Sequence, residues 1–348
     1  MLLSRRRLNR TLLQRQHLLE RAVSSADDMV HHLVGMQAQE TLPPYLSLHA
    51  RLTAFDPYDV SRGLDERGLV RLLTMRGTIH LLTPEDALAL RPWVQPVMDR
   101  SIRSNQAVRA VSHLDREAFG RAVEAVLADG PLAQKDLGPA LERHFPGLPA
   151  TALAQLARVA APLVQLPPRG KWKQPGGVVY DHVERWTGAA SARADPADVV
   201  RRYLRAFGPG TAADVTAWSG VTGLTGVLRG MADLVRHQDE AGRPLYDVPN
   251  AEPADEDAHA PVRLLGTYDN LWLSHAGRDR VTTPENRRRW MGTNGGTGHT
   301  VFVDGMLEGL WRVADGRVEV IELFRDLTRA ERDELDAEIA SVEALLAR

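Results

Sequence analysis

Residues 69–83 read "LVRLLTMRGTIHLLT". Two short β-prone runs flank Arg76–Gly77, so the stretch predicts a small hairpin with its turn at that pair. Three helical segments lead into it. Residues 24–40 carry an apolar stripe through Val30, Leu33 and Val34, with Ser25 and Asp28 placed as an N-terminal cap. "LPPYLSLHARL" (42–52) is a second helix, opened by Pro43–Pro44, and "DPYDVSRGLDERGLV" (56–70) is a third, with Pro57 in its first turn. Three helices closing into a hairpin is the plan of a winged helix-turn-helix.

The plan recurs downstream. Residues 115–145 read as helix, turn, helix, and 151–182 as a helix followed by two strands around "PPRGKWKQPGG". Residues 196–231 repeat the helical part and 234–248 the wing, and the lead-ins "GPLAQKDL" and "GPGTAADV" are alike. After residue 260 the pattern turns to β: "PVRLLGTYDNLWLSH", "HTVFVDGMLEGLWRV" and "GRVEVIELF", with "VDGM" and "ADGR" as hairpin turns. A last amphipathic helix spans 326–348. The expected fold is therefore α+β: winged helices at 1–110, 111–190 and 191–258, then a C-terminal β-hairpin element with a terminal helix at 259–348.

Composition narrows the chemistry. The 348 residues are 43% hydrophobic and 25% charged, the profile of a soluble globular protein. No run of 18 apolar residues is present, so no membrane partner is expected. "MLLSRRRLNR" is basic but leads into no apolar signal segment, which makes a cytoplasmic location the expectation. The absence of cysteine excludes disulfides, thiolate nucleophiles and iron–sulfur ligation. Only three residues are lysine, Lys135, Lys171 and Lys173, so few amines are available for a Schiff base. The histidines show no metal-binding spacing, and neither a metal nor another cofactor is expected. Although the net charge is −2, the charges are segregated: "RDRVTTPENRRR" (278–289) holds five arginines and "NAEPADEDAHA" (250–260) four acids. Such segregation allows a local basic surface.

Three places carry candidate site residues. In "RGTIHL" (76–81), period two puts Arg76, Thr78 and His80 on one polar side of a strand, either an ordinary half-exposed wing or a strip facing DNA. "YDNLWLSH" (268–275) alternates similarly and carries Asp269, Asn270 and His275, residues that can equally well tie loops together. In "GMQAQE" (35–40), Gln37 occupies the next position on the apolar stripe, and Gln39 follows it. On a helix the two amides would diverge by about 200°. They converge if the helix ends near Gln37 and the chain extends through Gln39. The residues alone leave Gln37 either a structural clamp or part of a polar site, because a buried amide must find hydrogen bonds.

Taken together, "LVGMQAQ", "PPYLSLHARL", "RGTIHLLTPED", "PPRGKWKQPGGVVY", "YDNLWLSHAGRDRV" and "VFVDGMLEGLW" resemble, in order and over nearly the whole chain, the tandem winged-helix DNA glycosylases typified by AlkZ. Gln37–Ala38–Gln39 matches that family's Gln–aliphatic–Gln motif. The resemblance implies a C-shaped scaffold of three winged helices whose concave basic face accepts duplex DNA, and a probing β-hairpin, placed here around Asn294–Thr300. It implies Gln37 and Gln39 as the catalytic pair. The residues expected to contact DNA are Arg76, Thr78, His80, Lys171, Lys173, Asn270, His275, Arg280, Arg287, Arg288 and Arg289. The implied activity is monofunctional excision of N7-alkylguanine-type lesions, including unhooking of interstrand crosslinks, by a monomer acting on double-stranded DNA in the cytoplasm or on the nucleoid. The competing expectation is a non-catalytic winged-helix protein that binds DNA or sequesters a drug.

Overall fold

The computed structural model describes residues 1–291 and 298–348. It divides into two compact units. One comprises Met1–Pro57, Pro196–Trp218 and Gly223–Arg348; the other comprises Tyr58–Asp195 and Ser219–Thr222. The architecture is mixed α+β, and among the described residues no helix is long and apolar enough to cross a membrane.

In the first unit, Ser25 caps helix Ala26–His32 by accepting the Asp28 N–H at 3.0 Å. The helix stops well short of residue 40. Val34 and Gly35 take left-handed φ values of 53° and 91°, and the Gly35 N–H returns to the Val30 carbonyl at 2.9 Å. This is a glycine-assisted C-cap, which satisfies carbonyls that a helix end would otherwise leave open. The chain leaves it extended through Met36–Gln37. Helix Pro43–Arg51 follows, with prolines in its first turn where no N–H is needed.

The same unit holds a second helical assembly. Helix Pro196–Phe207 is followed by a bridge residue, Gly210, then helices Ala212–Ser219 and Leu224–Gly230. The hairpin Val235–Asp239/Pro244–Asp247 closes it, with Tyr246 pairing back to Gly210. The C-terminal residues form a four-stranded antiparallel sheet in the order Arg263–Leu265, His299–Val303, Met306–Ala314, Arg317–Leu323. Its tight turns are Asp304–Gly305 and Asp315–Gly316, each with two consecutive positive φ values, the geometry Asp-Gly hairpins favour. Helix Arg329–Ala347 ends the chain, opened by a capping box between Thr328 and Glu331.

In the second unit, Val70–Leu73 pairs antiparallel with Ile79–Leu82 around Met75–Gly77, the hairpin expected from the sequence. Strands then run in the order Ile79–Leu82, Val70–Leu73, Leu163–Gln165, Val179–His182, Leu132–Ala133. Helices Arg116–Leu127, Gln134–Glu142 and Ala150–Ala160 pack a core of Phe119, Val123, Leu137, Leu153 and Leu156 against them. A helix, two further helices and a hairpin thus occur here and again over residues 196–247, with the short strand Leu132–Ala133 here matched there by the single bridge residue Gly210.

Candidate active site

The Gln–Ala–Gln segment lies on the extended stretch after the helix, not at the helix end expected from the apolar stripe. Burial alternates along it. Met36 and Ala38 are buried at 2% and 0% exposure, Gln37 is half-buried, and Gln39 is exposed. That is the pattern of an extended chain, whose period of two sends Gln37 and Gln39 to one side while Met36 and Ala38 anchor the other. A helical run could not do this.

A loop from the C-terminal region grips both ends of the segment. The Asn270 Nδ2 donates to the Gly35 carbonyl at 2.8 Å. Gly266 passes so close to Pro43 that a Cβ there would lie 2.9 Å from its Cα and its carbonyl oxygen, so only glycine fits. Between these contacts, Asp269 is fully buried against Arg51, with two carboxylate–guanidinium contacts of 2.7 Å, and accepts from the Ser47 hydroxyl at 2.5 Å. Burial alone would raise the Asp269 carboxyl. The Arg51 guanidinium, the Ser47 hydroxyl and the Leu271 N–H together hold it below its ordinary value. "YDNLWLSH" is therefore not a strand: Asp269 caps a short helix, Asn270–Leu273, through the Leu271 N–H. Asn270 reaches protein, the Gly35 carbonyl, and is 4% exposed.

His275 and Arg280 are likewise interior. His275 Nε2 accepts from Arg280 Nη1 at 3.1 Å, and Arg280 also donates to the Pro209 carbonyl at 2.8 Å. Burial pushes the His275 pKa down to about 3, so the ring is neutral. Tyr203 closes the network by donating to the Ser274 carbonyl at 2.6 Å.

The basic stretch that follows is a helix, Pro284–Met291. Arg289 is turned toward the protein, over the Phe324 ring at 4.2 Å and paired with Glu322. Arg287 and Arg288 are exposed, and their guanidiniums pair with no carboxylate among the described residues. With Arg278, Thr282 and Met291 they line a concavity of about 690 Å³. The hairpin expected around Asn294–Thr300 lies outside the described residues up to Thr297; His299 and Thr300 begin the strand His299–Val303.

The remaining candidates sit in the second unit. Strand Ile79–Leu82 is buried at every position, so His80 is no exposed wing residue. His80 Nδ1 donates to the Thr78 carbonyl at 3.0 Å, and its Nε2 accepts from Arg76 at 3.3 Å. Burial pushes its pKa to about 3. His80 thereby steadies Arg76, which is half-buried at the hairpin tip with φ 55°. Thr78 is half-buried beside it. Lys171 is held by Asp65 at 2.5 Å, and the exposed Lys173 places its ammonium 5.6 Å from the Trp172 ring centre. The polar period-two strip read from "RGTIHL" thus resolves into one half-buried arginine and an interior histidine that orients it.

Arg51 and Gly266 carry no local signal in the sequence, and Arg278 carries none beyond its place in the basic stretch 278–289. Arg51 looks like any helix-end cation, and its partner Asp269 is 218 residues away.

Comparisons with known proteins converge on one family. The sequence model described as DNA glycosylase AlkZ-like matches residues 30–345. The interstrand DNA cross-link repair glycosylase of Streptomyces sahachiroi is 28% identical, over 95% of this chain and 93% of that protein. The structure of the Streptomyces sahachiroi DNA glycosylase AlkZ matches with a TM-score of 0.83 at 24% identity, covering 100% of this chain and 98% of that one.

Proposed function

The chain belongs to the AlkZ-like DNA glycosylase family, and from that premise we propose that it hydrolyses the glycosidic bond of N7-alkylguanine in duplex DNA, including guanines tied into interstrand crosslinks, with Gln37 and Gln39 as the reactive pair. The observation that carries this reading is the alternation of burial along Met36–Gln39, which turns Gln37 and Gln39 to one side of a segment clamped at Gly35 and Pro43.

Alkylation at N7 makes the base cationic, so it departs without an acid catalyst. What remains is to stabilise an oxocarbenium-like sugar and to hold a water on its far face, as in inverting glycoside hydrolysis. The water oxygen bonds to C1′, the C1′–N9 bond breaks, and its electron pair neutralises the leaving purine; the surplus proton passes to solvent. An amide is no general base at neutral pH. The Gln39 carbonyl oxygen can nevertheless accept a hydrogen bond from the water and face the positive charge at C1′. Gln37 acts on that arrangement as a positioning residue. Such catalysis suffices because the leaving group is already activated.

The recurring helix, short β segment, two helices and hairpin support a scaffold of tandem winged helices that binds the duplex. A crosslinked base is tethered to the opposite strand and cannot swing out of the stack, so the enzyme meets the nucleotide in place, unlike base-flipping glycosylases. Arg287 and Arg288, with Arg278, are the cations available for phosphates. Arg76, Lys171 and Lys173 take the same role from the second unit. The protein acts as a monomer. Release of free base from N7-methylguanine duplex, together with loss of a crosslinked species on a denaturing gel, tests the reading. Binding without release would make it a DNA-binding or drug-sequestering protein instead.

A further inference from the structure

The loop that grips Gly35 and Pro43 has a second neighbour, His299. The Thr267 backbone N–H donates to His299 Nδ1 at 3.0 Å, and the Thr267 hydroxyl lies 3.0 Å from the same nitrogen. Thr267 adjoins Gly266, the residue packed on Pro43, and lies three positions before Asn270, which holds Gly35. His299 is thus fixed to the same loop that fixes the glutamine segment.

A backbone N–H can only donate, so Nδ1 is the acceptor and the neutral ring carries its hydrogen on Nε2. The ring cannot swing freely. It packs on Trp311 with centroids 4.6 Å apart, opposite it in the strand register. Trp311 is itself pinned by its Nε1 donating to the Thr300 carbonyl at 3.2 Å. Removal from water pushes the His299 pKa down to about 4, so the ring stays neutral near pH 7. Its Nε2 meets no protein acceptor among the described residues, and the residue is only half-buried.

We propose that His299 is a positioning residue for excision, donating its Nε2–H to a backbone phosphodiester oxygen beside the lesion. Neutrality is what makes the ring suitable. An imidazolium would repel the cationic sugar and base, whereas a neutral N–H still binds an anionic oxygen and fixes the sugar against Gln39. The assignment rests on the reaction proposed above.

The test compares single-turnover excision from N7-methylguanine duplex by the wild type, His299→Asn, His299→Ala and His299→Gln, with melting temperatures measured alongside. Asn can still accept the Thr267 N–H but offers no donor where Nε2 lies; Gln reaches that point with an amide N–H. The expected result is an excision rate about tenfold lower in Asn and Ala, the worth of one hydrogen bond, with wild-type melting for Asn and partial recovery of rate in Gln. A wild-type rate in His299→Asn, beside an active wild type, overturns this assignment alone and leaves His299 a prop for Thr267. If Asn also melts early, Gln no faster than Ala overturns it as well. No base release by the wild type would overturn the reaction, and this assignment with it.

Discussion

The Asn270 side chain donates to the Gly35 carbonyl across 2.8 Å, two residues ahead of Gln37 and 235 positions away in the chain. The contact fixes where the extended segment begins. Asn270→Ala leaves a buried carbonyl without its donor, at a cost of roughly 1–3 kcal/mol. The variant should melt at a lower temperature and excise more slowly per folded molecule. Excision unchanged in a less stable protein would show that Asn270 supports the fold without placing the glutamines.

Asp269 and Arg51 form the ion pair beneath that loop, both essentially unexposed. Removing one partner strands the other charge in the interior. Asp269→Asn should therefore cost roughly 3–5 kcal/mol, well beyond the effect of a surface pair. Chemical denaturation checks this. A loss of less than about 1 kcal/mol, the range of a surface pair, would mean that Arg51 finds another partner or reaches water.

Local patterns make the hairpins, the proline-opened helix Pro43–Arg51 and the repeated helical plan readable from the sequence, because period, caps and turn residues are short-range signals. The end of helix Ala26–His32 is not readable in the same way, for a physical reason. Leu33 and Val34 keep the apolar period going past the last helical residue, and the stop comes from the left-handed turn at Val34 and Gly35. "YDNLWLSH" imitates a strand because a helix of four residues is too short to show its own period. The interior fates of Asn270, His275 and Arg280 depend on partners such as Gly35 and Pro209, and no local pattern announces those.

Acid should destabilise this protein early. Burial lowers the pKa of His49 and His299 to about 4, and of His80 and His275 to about 3. Below the unfolded value of about 6.5, the unfolded chain takes up protons that these folded rings refuse. Stability is therefore complete above that value and declines as pH falls toward 4, by up to about 1.4 kcal/mol per pH unit for each ring. Melting temperatures should hold between about pH 7.5 and about pH 6.5 and then fall steadily down to about pH 5. A flat or rising profile would mean that the rings gain protons in the folded state.

DNA binding should depend on salt despite the net charge of −2. A variant with Arg278, Arg287 and Arg288 all changed to Ala should flatten the dependence of log K on log salt, each cation contributing roughly one unit or less. Arg289→Ala should change that slope less, because its guanidinium is engaged by Glu322 and Phe324. Equal slopes in the triple variant and the wild type would place the DNA face elsewhere.

The most direct measurement follows the products of N7-methylguanine duplex treated with the wild type and with Gln39→Ala. The wild type should yield free base and an intact abasic strand, cleaved only after alkali. Gln39→Ala should bind the duplex as well and release no base. No lysine adjoins the proposed site in the sequence: Lys171 is held by Asp65, and Lys135 and Lys173 lie far along the chain from Gln37 and Gln39. Borohydride should therefore trap no covalent adduct. Near wild-type base release by Gln39→Ala, or a trapped protein–DNA adduct, would contradict the claim that a water held by Gln39 is the nucleophile.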